Sequence, residues 1–448
     1  MPDTTNIALW IDPEVDKLAR TFKKNFEQHS WRLEKAKTLK EGLRRLNFDE
    51  PPVDIIIIDV NFESEDPKAR YDVLQVIRQM DPDIPIFVIT NRPDSELHLA
   101  AGKANAEIAD KEDLLNNPNE NIEVLFGRMK GRVRRAPTYD REQRILANKV
   151  ASGYEKLETD RPGTVAYWLF EEELIKGIVL EKEKRQAKPL NVLDLGSGTG
   201  RYARVILDVS STAQVTCVDF SGQMLLEASK TLALYEKKGR CEFTRALAER
   251  LPEYYKDFDL VILGFGFPSY TPTTPILREV SRVIKADGLL FASVYNHRAL
   301  AYDRWGGVAN QDDPQRPIST WIDREMGEIW IRTGSATPEK LKARTYTTSQ
   351  FARELRQAGF KVGGYLSFPV LYSVLSCSQI AERAEPDRRE ECYGNNQFSF
   401  ALWHLDRELI RSLKDRGFYS LLLASKSDQP LQDIAPHLDM HPVDTLKP

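Results

Sequence analysis

One glycine-rich turn constrains the fold of this chain more than any other feature. Residues 191–203 read NVLDLGSGTGRYA, an apolar strand that passes directly into a helix. Because glycine has no Cβ atom, Gly196, Gly198 and Gly200 let the backbone turn tightly and let a ligand lie against exposed backbone N–H groups. The turn predicts a parallel α/β sheet with a ligand at the carboxyl end of this strand.

Two carboxylates indicate what kind of ligand this is. Asp194 lies in the strand just before the turn, where it suits a positively charged amino group better than a pyrophosphate. Arg201 stands where a dinucleotide-binding fingerprint has its last glycine. Asp219 ends the next strand, 19 residues after Gly200 (219 − 200), and a carboxylate there accepts hydrogen bonds from ribose hydroxyls. Together these residues favour S-adenosylmethionine over NAD.

The elements that follow continue the α/β pattern. We predict strands at 258–264, 289–295 and 419–426, an amphipathic helix at 276–288 that ends at glycine, and a later helix within 346–360. This succession resembles class I S-adenosylmethionine-dependent methyltransferases, especially those that act on small molecules. The resemblance implies a Rossmann-like, seven-stranded domain over residues 140–428.

The resemblance also implies which residues contact the cofactor. Leu247 departs from the family pattern, because it stands where an acidic side chain usually binds the adenine amino group. The backbone N–H of Ala248 is the remaining contact there. The implied cofactor-binding residues are Asp194, Gly196, Ser197, Gly198, Gly200, Asp219, Phe220, Met224, Ala248 and Gly264.

Methyl transfer needs alignment and a dry cavity more than a dedicated base. Tyr270, after the strand at 258–264, and His297, after the strand at 289–295, are the candidate catalytic residues. His297 is placed to deprotonate an acceptor, although a loop histidine is more often a surface residue. Residues 298–345 are too long for an ordinary connection. We predict a β-hairpin there that serves as a lid or acceptor-recognition element, or that packs onto the domain or a partner.

The first 128 residues predict a separate parallel sheet. Apolar strands run into Asp12, Asp59 and Thr90, and polar residues at such strand ends are placed for chemistry. Aspartyl phosphorylation needs a nucleophilic carboxylate, acids that hold a divalent cation, and a hydroxyl and an ammonium for the phosphoryl oxygens. With Lys111, these residues supply that set.

The spacings 90 − 59 = 31 and 111 − 59 = 52 are similar to those of receiver domains in two-component signalling. The resemblance covers residues 5–128. It implies a flavodoxin-like domain over 1–135, Asp59 as phosphoacceptor, a pocket of Asp12, Thr90 and Lys111, and Mg²⁺ on Asp12 and Asp59. A histidine kinase or a receiver-mediated homodimer is the implied partner.

Two departures keep an alternative open for this first domain. Asp12 is followed by Pro13 instead of a second acid, and Ile108 replaces the usual aromatic residue of the conformational switch. A degenerate docking or dimerisation module is therefore the competing hypothesis.

Composition excludes several classes of protein. The 448 residues are 41% hydrophobic with a net charge of only −4, which disfavours disorder and gives no field for capturing nucleic acid. No apolar run approaches the roughly 18 residues of a membrane span, and no secretory signal is visible, so we expect a cytoplasmic protein without a membrane partner. Four cysteines do not form a disulfide scaffold. The basic stretch 127–135 reads as a linker, and 429–448 as a loose tail.

The sequence thus predicts S-adenosylmethionine-dependent methyl transfer to a small-molecule acceptor, regulated or localised by a receiver-like domain. Two alternatives remain: a non-catalytic signalling scaffold in which both domains are degenerate, or a methyltransferase acting on protein or nucleic acid. Residues 264–270 lack the Asn-Pro-Pro-Tyr type of motif, which argues against methylation of a base amino group.

Overall fold

The chain forms two compact units in a computed structural model. One unit comprises Met1–Lys149 with Phe220–Leu226 and Thr244–Leu247, and the other comprises the remaining residues. The predicted boundary near residues 135–140 and the basic stretch 127–135 lie outside the described residues. The structure describes residues 6–29, 31–47, 53–60, 69–80, 84–91, 93–112, 147, 151, 154, 162–186, 188–300, 308–309, 318–323, 326–333, 339–370, 397–427 and 440–442.

The first unit contains a five-stranded sheet in the order β2-β1-β3-β4-β5, and every strand pair in it is parallel. Its strands are β1 (Asn6–Ile11), β2 (Trp31–Ala36), β3 (Ile55–Ile58), β4 (Ile86–Thr90) and β5 (Glu107–Asp110). Its helices are α1 (Val15–Gln28), α2 (Leu39–Asn47), α3 (Ala69–Met80) and α4 (Ser95–Lys103).

Strand β3 shows why this sheet is covered on both faces. Successive side chains of a strand point to opposite faces, so an unbroken apolar run needs a core on each side. Ile56 and Ile58 belong to one apolar cluster, and Ile55 and Ile57 belong to another. The predicted strands β1, β3 and β4 are confirmed, while β2 and β5 had not been predicted.

A second sheet has seven strands, in the order β15-β16-β10-β9-β6-β7-β8. The pairs β10–β9, β9–β6 and β6–β7 are parallel, and β16 runs antiparallel to both β10 and β15. The sheet strands are β6 (Asn191–Leu195), β7 (Gln214–Asp219), β8 (Cys241–Arg245), β9 (Phe258–Leu263), β10 (Ile284–Tyr295), β15 (Lys361–Phe368) and β16 (Tyr419–Ser425). The predicted α/β, Rossmann-like architecture is confirmed for this part of the chain.

Helices accompany the second sheet along the chain. They are α5 (Pro162–Arg185), α6 (Arg201–Val209), α7 (Gly222–Thr231), α8 (Ala233–Lys237), α9 (Thr273–Val283), α10 (Thr348–Gln357) and α11 (Gln397–Ser412), with a short 3₁₀ helix at Phe267–Ser269. None of the described helices combines the length and the apolar character that crossing a bilayer requires.

The predicted helix at 276–288 was wrong at its end. Helix α9 stops at Val283, and β10 begins at Ile284 and shifts its register against β9 between Ile284 and Leu289. Gly288 fits this irregular stretch because a Cβ atom there would lie 2.5 Å from Ile284 Cγ1 and 2.9 Å from the Phe258 carbonyl oxygen.

The segment between β10 and α10 contains a sheet of its own. Strands β11 (Val308–Ala309), β12 (Ile318–Asp323), β13 (Glu328–Thr333) and β14 (Glu339–Arg344) pair antiparallel in chain order. The predicted hairpin is confirmed as β12–β13, with Gly327 at φ +69° in its turn. Its role as a lid stays a prediction.

Part of the predicted loose tail is ordered against the sheet. His441 forms an antiparallel bridge with Tyr365 of β15, and its Nε2 lies 2.8 Å from the Ile410 carbonyl oxygen. The expectation of a loose tail is therefore wrong for residues 440–442, because their backbone groups pair with a strand edge.

Candidate active site

The three glycines after β6 all adopt positive φ angles, +75° at Gly196, +53° at Gly198 and +81° at Gly200. A Cβ atom on Gly196 would lie 2.5 Å from the Phe267 ring, and one on Gly200 would lie 2.9 Å from Leu232. On Gly198 a Cβ atom would meet nothing within 4 Å. Two of the glycines are thus required by packing as well as by φ, while Gly198 faces open space where a ligand can approach.

Asp219 lies beside this turn, as the sequence predicted. Its Oδ2 accepts a hydrogen bond from Gly198 N at 2.9 Å, and the Val218 carbonyl oxygen accepts from Gly196 N and Ser197 N. The Ser197 hydroxyl is buried and has no hydrogen-bond partner among the described residues. An open glycine face, a strand-end carboxylate and an unsatisfied hydroxyl together fit the nucleoside part of S-adenosylmethionine.

Asp194 is buried, and its carboxyl already has a backbone partner. Its Oδ2 accepts a hydrogen bond from Ala203 N at 3.2 Å and so holds the first turn of α6. Burial raises the pKa of this carboxyl to about 7, and the charges of Asp219 and Glu171 act in the same direction. A role for Asp194 at the amino group of a ligand stays a prediction.

The other predicted cofactor contacts are divided between the units. Phe220 and Met224 belong to the segment that groups with the first unit, where Met224 N donates to Ser221 Oγ at 3.1 Å. Ala248 and Gly264 belong to the second unit, and a Cβ atom on Gly264 would lie 2.3 Å from the Tyr202 ring. Their contacts with a cofactor stay predictions.

Glu171 of α5 is a candidate site residue that the sequence reasoning missed. It is 0% exposed and accepts hydrogen bonds from the Tyr167 and Tyr202 hydroxyls and, at 3.2 Å, from Phe265 N. Burial raises its pKa to about 7 against the opposing effect of these hydrogen bonds. Sequence did carry a signal, because Glu171 lies one helical turn after Tyr167 and one before Leu174 and Ile175, on the apolar face of α5.

Tyr270 joins a cluster of buried aromatic side chains. Its hydroxyl oxygen lies 2.6 Å from that of Tyr295, whose ring stacks on Tyr419 at 4.8 Å between centroids. Tyr419 in turn stacks on Tyr167 at 3.8 Å. Burial raises the pKa of Tyr419 well above its usual value, so its hydroxyl stays protonated near neutral pH.

His297 contacts the segment that precedes α10. Its Nδ1 lies 3.0 Å from Thr345 Oγ1, and Thr345 in turn donates to the Gly327 carbonyl oxygen at 2.9 Å. Its role as a base stays a prediction. The neighbouring Asn296 is fully buried and donates to Ser367 Oγ and the Gly417 carbonyl oxygen, so it holds adjoining segments together.

The first unit brings together the predicted acidic pocket. Lys111 Nζ donates to Asp12 Oδ2 and to Asp59 Oδ2, each at 2.8 Å, and all three side chains are buried. Thr90 is buried at the end of the adjacent strand β4. Burial raises the pKa of Asp12, and although burial alone would lower the pKa of Lys111, its bonds to both aspartates raise it.

The expected Mg²⁺ site finds no support in this geometry. Among the described residues, no group of three or more histidine, cysteine, aspartate or glutamate side chains is placed to hold a metal ion. The only further acid seen near Lys111 in the described part of the chain, Glu14, has Oε2 at 3.6 Å from Nζ and is largely exposed. Lys111 itself supplies the positive charge between Asp12 and Asp59.

The glycine turn lies in a region that matches a known protein family. A family model described as "Methyltransferase domain" matches residues 192–288, which include the turn, Asp219 and Tyr270. Residues 192–288 are thus similar to a methyltransferase domain. Glu171 and His297 lie outside the matched range, so the family match covers the ligand end of β6, β7 and β9 and leaves the acceptor side open.

Two methyltransferases are similar to part of the chain. The demethylmenaquinone methyltransferase of Thermotoga maritima is 37% identical over 105 residues, 23% of this chain and 43% of that protein. The malonyl-[acyl-carrier protein] O-methyltransferase of Laribacter hongkongensis is 32% identical over 159 residues, 34% of this chain and 52% of that protein. This chain thus spans about half the length of these relatives.

A solved S-adenosylmethionine-dependent methyltransferase from Clostridium acetobutylicum is also similar to the chain. It covers 56% of this chain and 91% of its own, at 14% identity and a TM-score of 0.38. A likeness this low carries no argument about the function of the methyltransferase domain.

Proposed function

We propose that this protein transfers a methyl group from S-adenosylmethionine to a small-molecule acceptor. The observation that carries the proposal is the turn at Gly196–Gly200, which offers an open face at Gly198 beside the Asp219 carboxylate. The matched methyltransferase domain supports the same cofactor. In this proposal Asp219 takes the ribose hydroxyls, and the backbone N–H groups and the hydroxyl of the turn bind the rest of the nucleoside.

We propose a small acceptor because aromatic side chains lie near the turn. The partly buried Tyr270 forms an aromatic wall with the buried Tyr295 and Tyr419 beside the ends of β9 and β10, which suits a compact, partly apolar molecule. The relatives named above act on demethylmenaquinone and on malonyl-[acyl-carrier protein], so they agree on methyl transfer and differ in the acceptor.

Calorimetric titration with S-adenosylmethionine tests this proposal. Wild-type protein is expected to bind, and Asp219→Ala is expected to lose ten-fold or more in affinity, because it removes the ribose acceptor and frees Gly198 N. Asp208→Ala is the matched control, since Asp208 is exposed on α6 and bonds only Tyr235 among the described residues. Absence of binding by the wild-type protein would refute the assignment.

We also propose that the first unit is a receiver-like regulatory domain with Asp59 as phosphoacceptor. The order β2-β1-β3-β4-β5 is the doubly wound order of flavodoxin-like folds. The supporting observation is the buried cluster in which Lys111 bonds both Asp12 and Asp59. A histidine kinase or a second receiver-like unit would be the partner. Uptake of a phosphoryl group at Asp59 tests this assignment.

A further inference from the structure

The proposed function places the methyl donor at the ends of neighbouring strands. In the order β9-β6-β7, Asp219 ends β7 and would hold the ribose. The rest of the molecule, with its sulfonium and ammonium charges, would then lie over the glycine turn that follows β6 and reach toward β9. The carboxyl end of β9 continues into Gly264 and Phe265, where Phe265 N donates to Glu171. In this arrangement the positive half of the methyl donor would lie on the Glu171 side of the turn.

Glu171 is a buried carboxyl that no cation balances in the described part of the chain. Among the described residues, its hydrogen-bond partners are neutral and it forms no ion pair. The nearby Arg201 is committed elsewhere, because it lies 3.3 Å from Glu172 Oε1 and 3.2 Å above the Trp168 ring. Ionising a buried carboxyl without a counter-charge is costly, so the protonation of Glu171 depends on what charge arrives beside it.

Methyl transfer changes the charge at that place. The bond between sulfur and the methyl carbon breaks, and its electron pair stays on sulfur. A lone pair of the acceptor forms the new bond to the methyl carbon, and the acceptor's proton leaves to water. S-adenosylhomocysteine therefore lacks the sulfonium charge that S-adenosylmethionine carries.

We propose that Glu171 is the counter-charge of the sulfonium: its carboxyl releases a proton as S-adenosylmethionine binds and recovers a proton when S-adenosylhomocysteine takes its place. The inference rests on the proposed function and adds a determinant of the preference for substrate over product. Phe265 and Tyr202 would lie between Glu171 and the sulfonium, so Glu171 would act on that charge through space. The Tyr202 ring fills the space that a side chain at position 264 would occupy.

Other groups around Glu171 also carry charge or titrate. Asp194 has a pKa raised to about 7 by burial and so ionises in the same range as Glu171. Burial holds the pKa of Tyr167 and Tyr202 well above the usual value, so these hydroxyls stay protonated. The set comprises Tyr167 and Glu172 on α5, Arg201 and Tyr202 on α6, Asp194 on β6, Asp219 on β7, Tyr295 on β10 and Tyr419 on β16.

Calorimetry of the full chain in two buffers of different protonation enthalpy, phosphate and imidazole at about pH 6.5, measures the proton directly. The heat of S-adenosylmethionine binding is expected to differ between the buffers, and that of S-adenosylhomocysteine is not. Glu171→Gln is expected to lose this difference and, at about pH 8, roughly ten-fold in affinity for S-adenosylmethionine alone. Glu173→Gln, the same change at a half-exposed position of α5, is expected to match wild type.

The variant Tyr202→Phe distinguishes proton release by Glu171 from proton release by Asp194. It removes one hydrogen bond to the Glu171 carboxyl and leaves the ring against Gly264, so the pKa of Glu171 rises and proton release moves to higher pH. This variant decides the matter if Glu171→Gln does not fold.

Three results would overturn the inference: binding of S-adenosylmethionine by wild type without proton release, an unchanged preference for it over the product in Glu171→Gln, or an unchanged release profile in Tyr202→Phe. Each leaves the S-adenosylmethionine assignment standing. Failure of wild type to bind either molecule refutes the proposed function itself, and the inference falls with it.

Discussion

Three consecutive glutamates on α5 show how the surroundings of a residue decide its chemistry. Glu171 is 0% exposed, while the side chains of Glu172 and Glu173 are 12% and 54% exposed. The sequence FEEEL offers three equivalent carboxylates, and the helical period singles out Glu171 for the apolar face. Only the packed structure shows that Tyr167, Tyr202 and Phe265 N donate to this carboxyl while burial raises its pKa to about 7.

Burial of Glu171 predicts a pH-dependent stability. Its pKa in the folded protein is raised from 4.5 to about 7, so its favourable contribution is full below pH 4.5 and is lost as the pH rises through 7. Glu171→Gln stays neutral at every pH. Between pH 5 and 8 we expect the unfolding free energy of the variant to improve relative to wild type by about 2 to 3 kcal/mol, measured by urea unfolding.

Glu173→Gln serves as control for this measurement, because its side chain is half exposed and should leave the pH profile of wild type unchanged. Parallel profiles for wild type and Glu171→Gln would contradict the burial of an ionisable carboxyl at position 171.

At the scale of elements, most predicted strands are confirmed and the misses have physical causes. Strands β3, β4, β6 and β9 are short, buried and largely apolar runs, so their length and apolar character place them. Strand β2 reads WRLEKA and has both buried and exposed side chains. It lies at the edge of the sheet, where part of the strand faces solvent and needs no apolar residues. The early end of α9 depends on the pairing of Ile284 with β9, a long-range contact that local sequence does not encode.

Two glycines of the second unit give opposite predictions for the same substitution. Gly264→Ala would place a Cβ atom 2.3 Å from the Tyr202 ring, and we expect a loss of about 1 to 3 kcal/mol in unfolding free energy. Gly177→Ala lies inside helix α5 with nothing within 4 Å of the new atom, and we expect a gain of about 0.5 to 1 kcal/mol. Thermal unfolding followed by fluorescence compares the two, and equal shifts would show that the ring does not pack on residue 264.

At the scale of the whole molecule, the chain carries two chemically different sheets. The first ends its central strands in Asp12, Asp59 and Thr90, and the second ends them in the glycine turn and Asp219. A chain that carries both sheets suits a protein in which chemical modification of the first unit regulates methyl transfer by the second.

Phosphodonor treatment of the full chain tests that regulation. With acetyl phosphate and Mg²⁺ we expect the intact mass to increase by one phosphoryl group, because Lys111 supplies positive charge beside Asp59. Asp59→Asn should gain nothing, and Asp72→Asn, an exposed change on α3, should behave as wild type. A wild-type chain that stays unmodified rules out the phosphoacceptor role. A modified chain with unchanged methyl-transfer rate rules out the regulation alone.

The sequence by itself determined the two α/β sheets, the glycine turn, and the carboxylates at their strand ends. These features follow from local rules, since strand period, glycine geometry and residue chemistry act over a few neighbouring positions. The tertiary structure decided that Glu171 is buried with no counter-charge among the described residues, that Lys111 joins Asp12 to Asp59, and that Tyr202 requires glycine at position 264. Each of these facts needs segments at least 31 residues apart in the chain to meet, because burial and charge compensation are properties of the packed molecule.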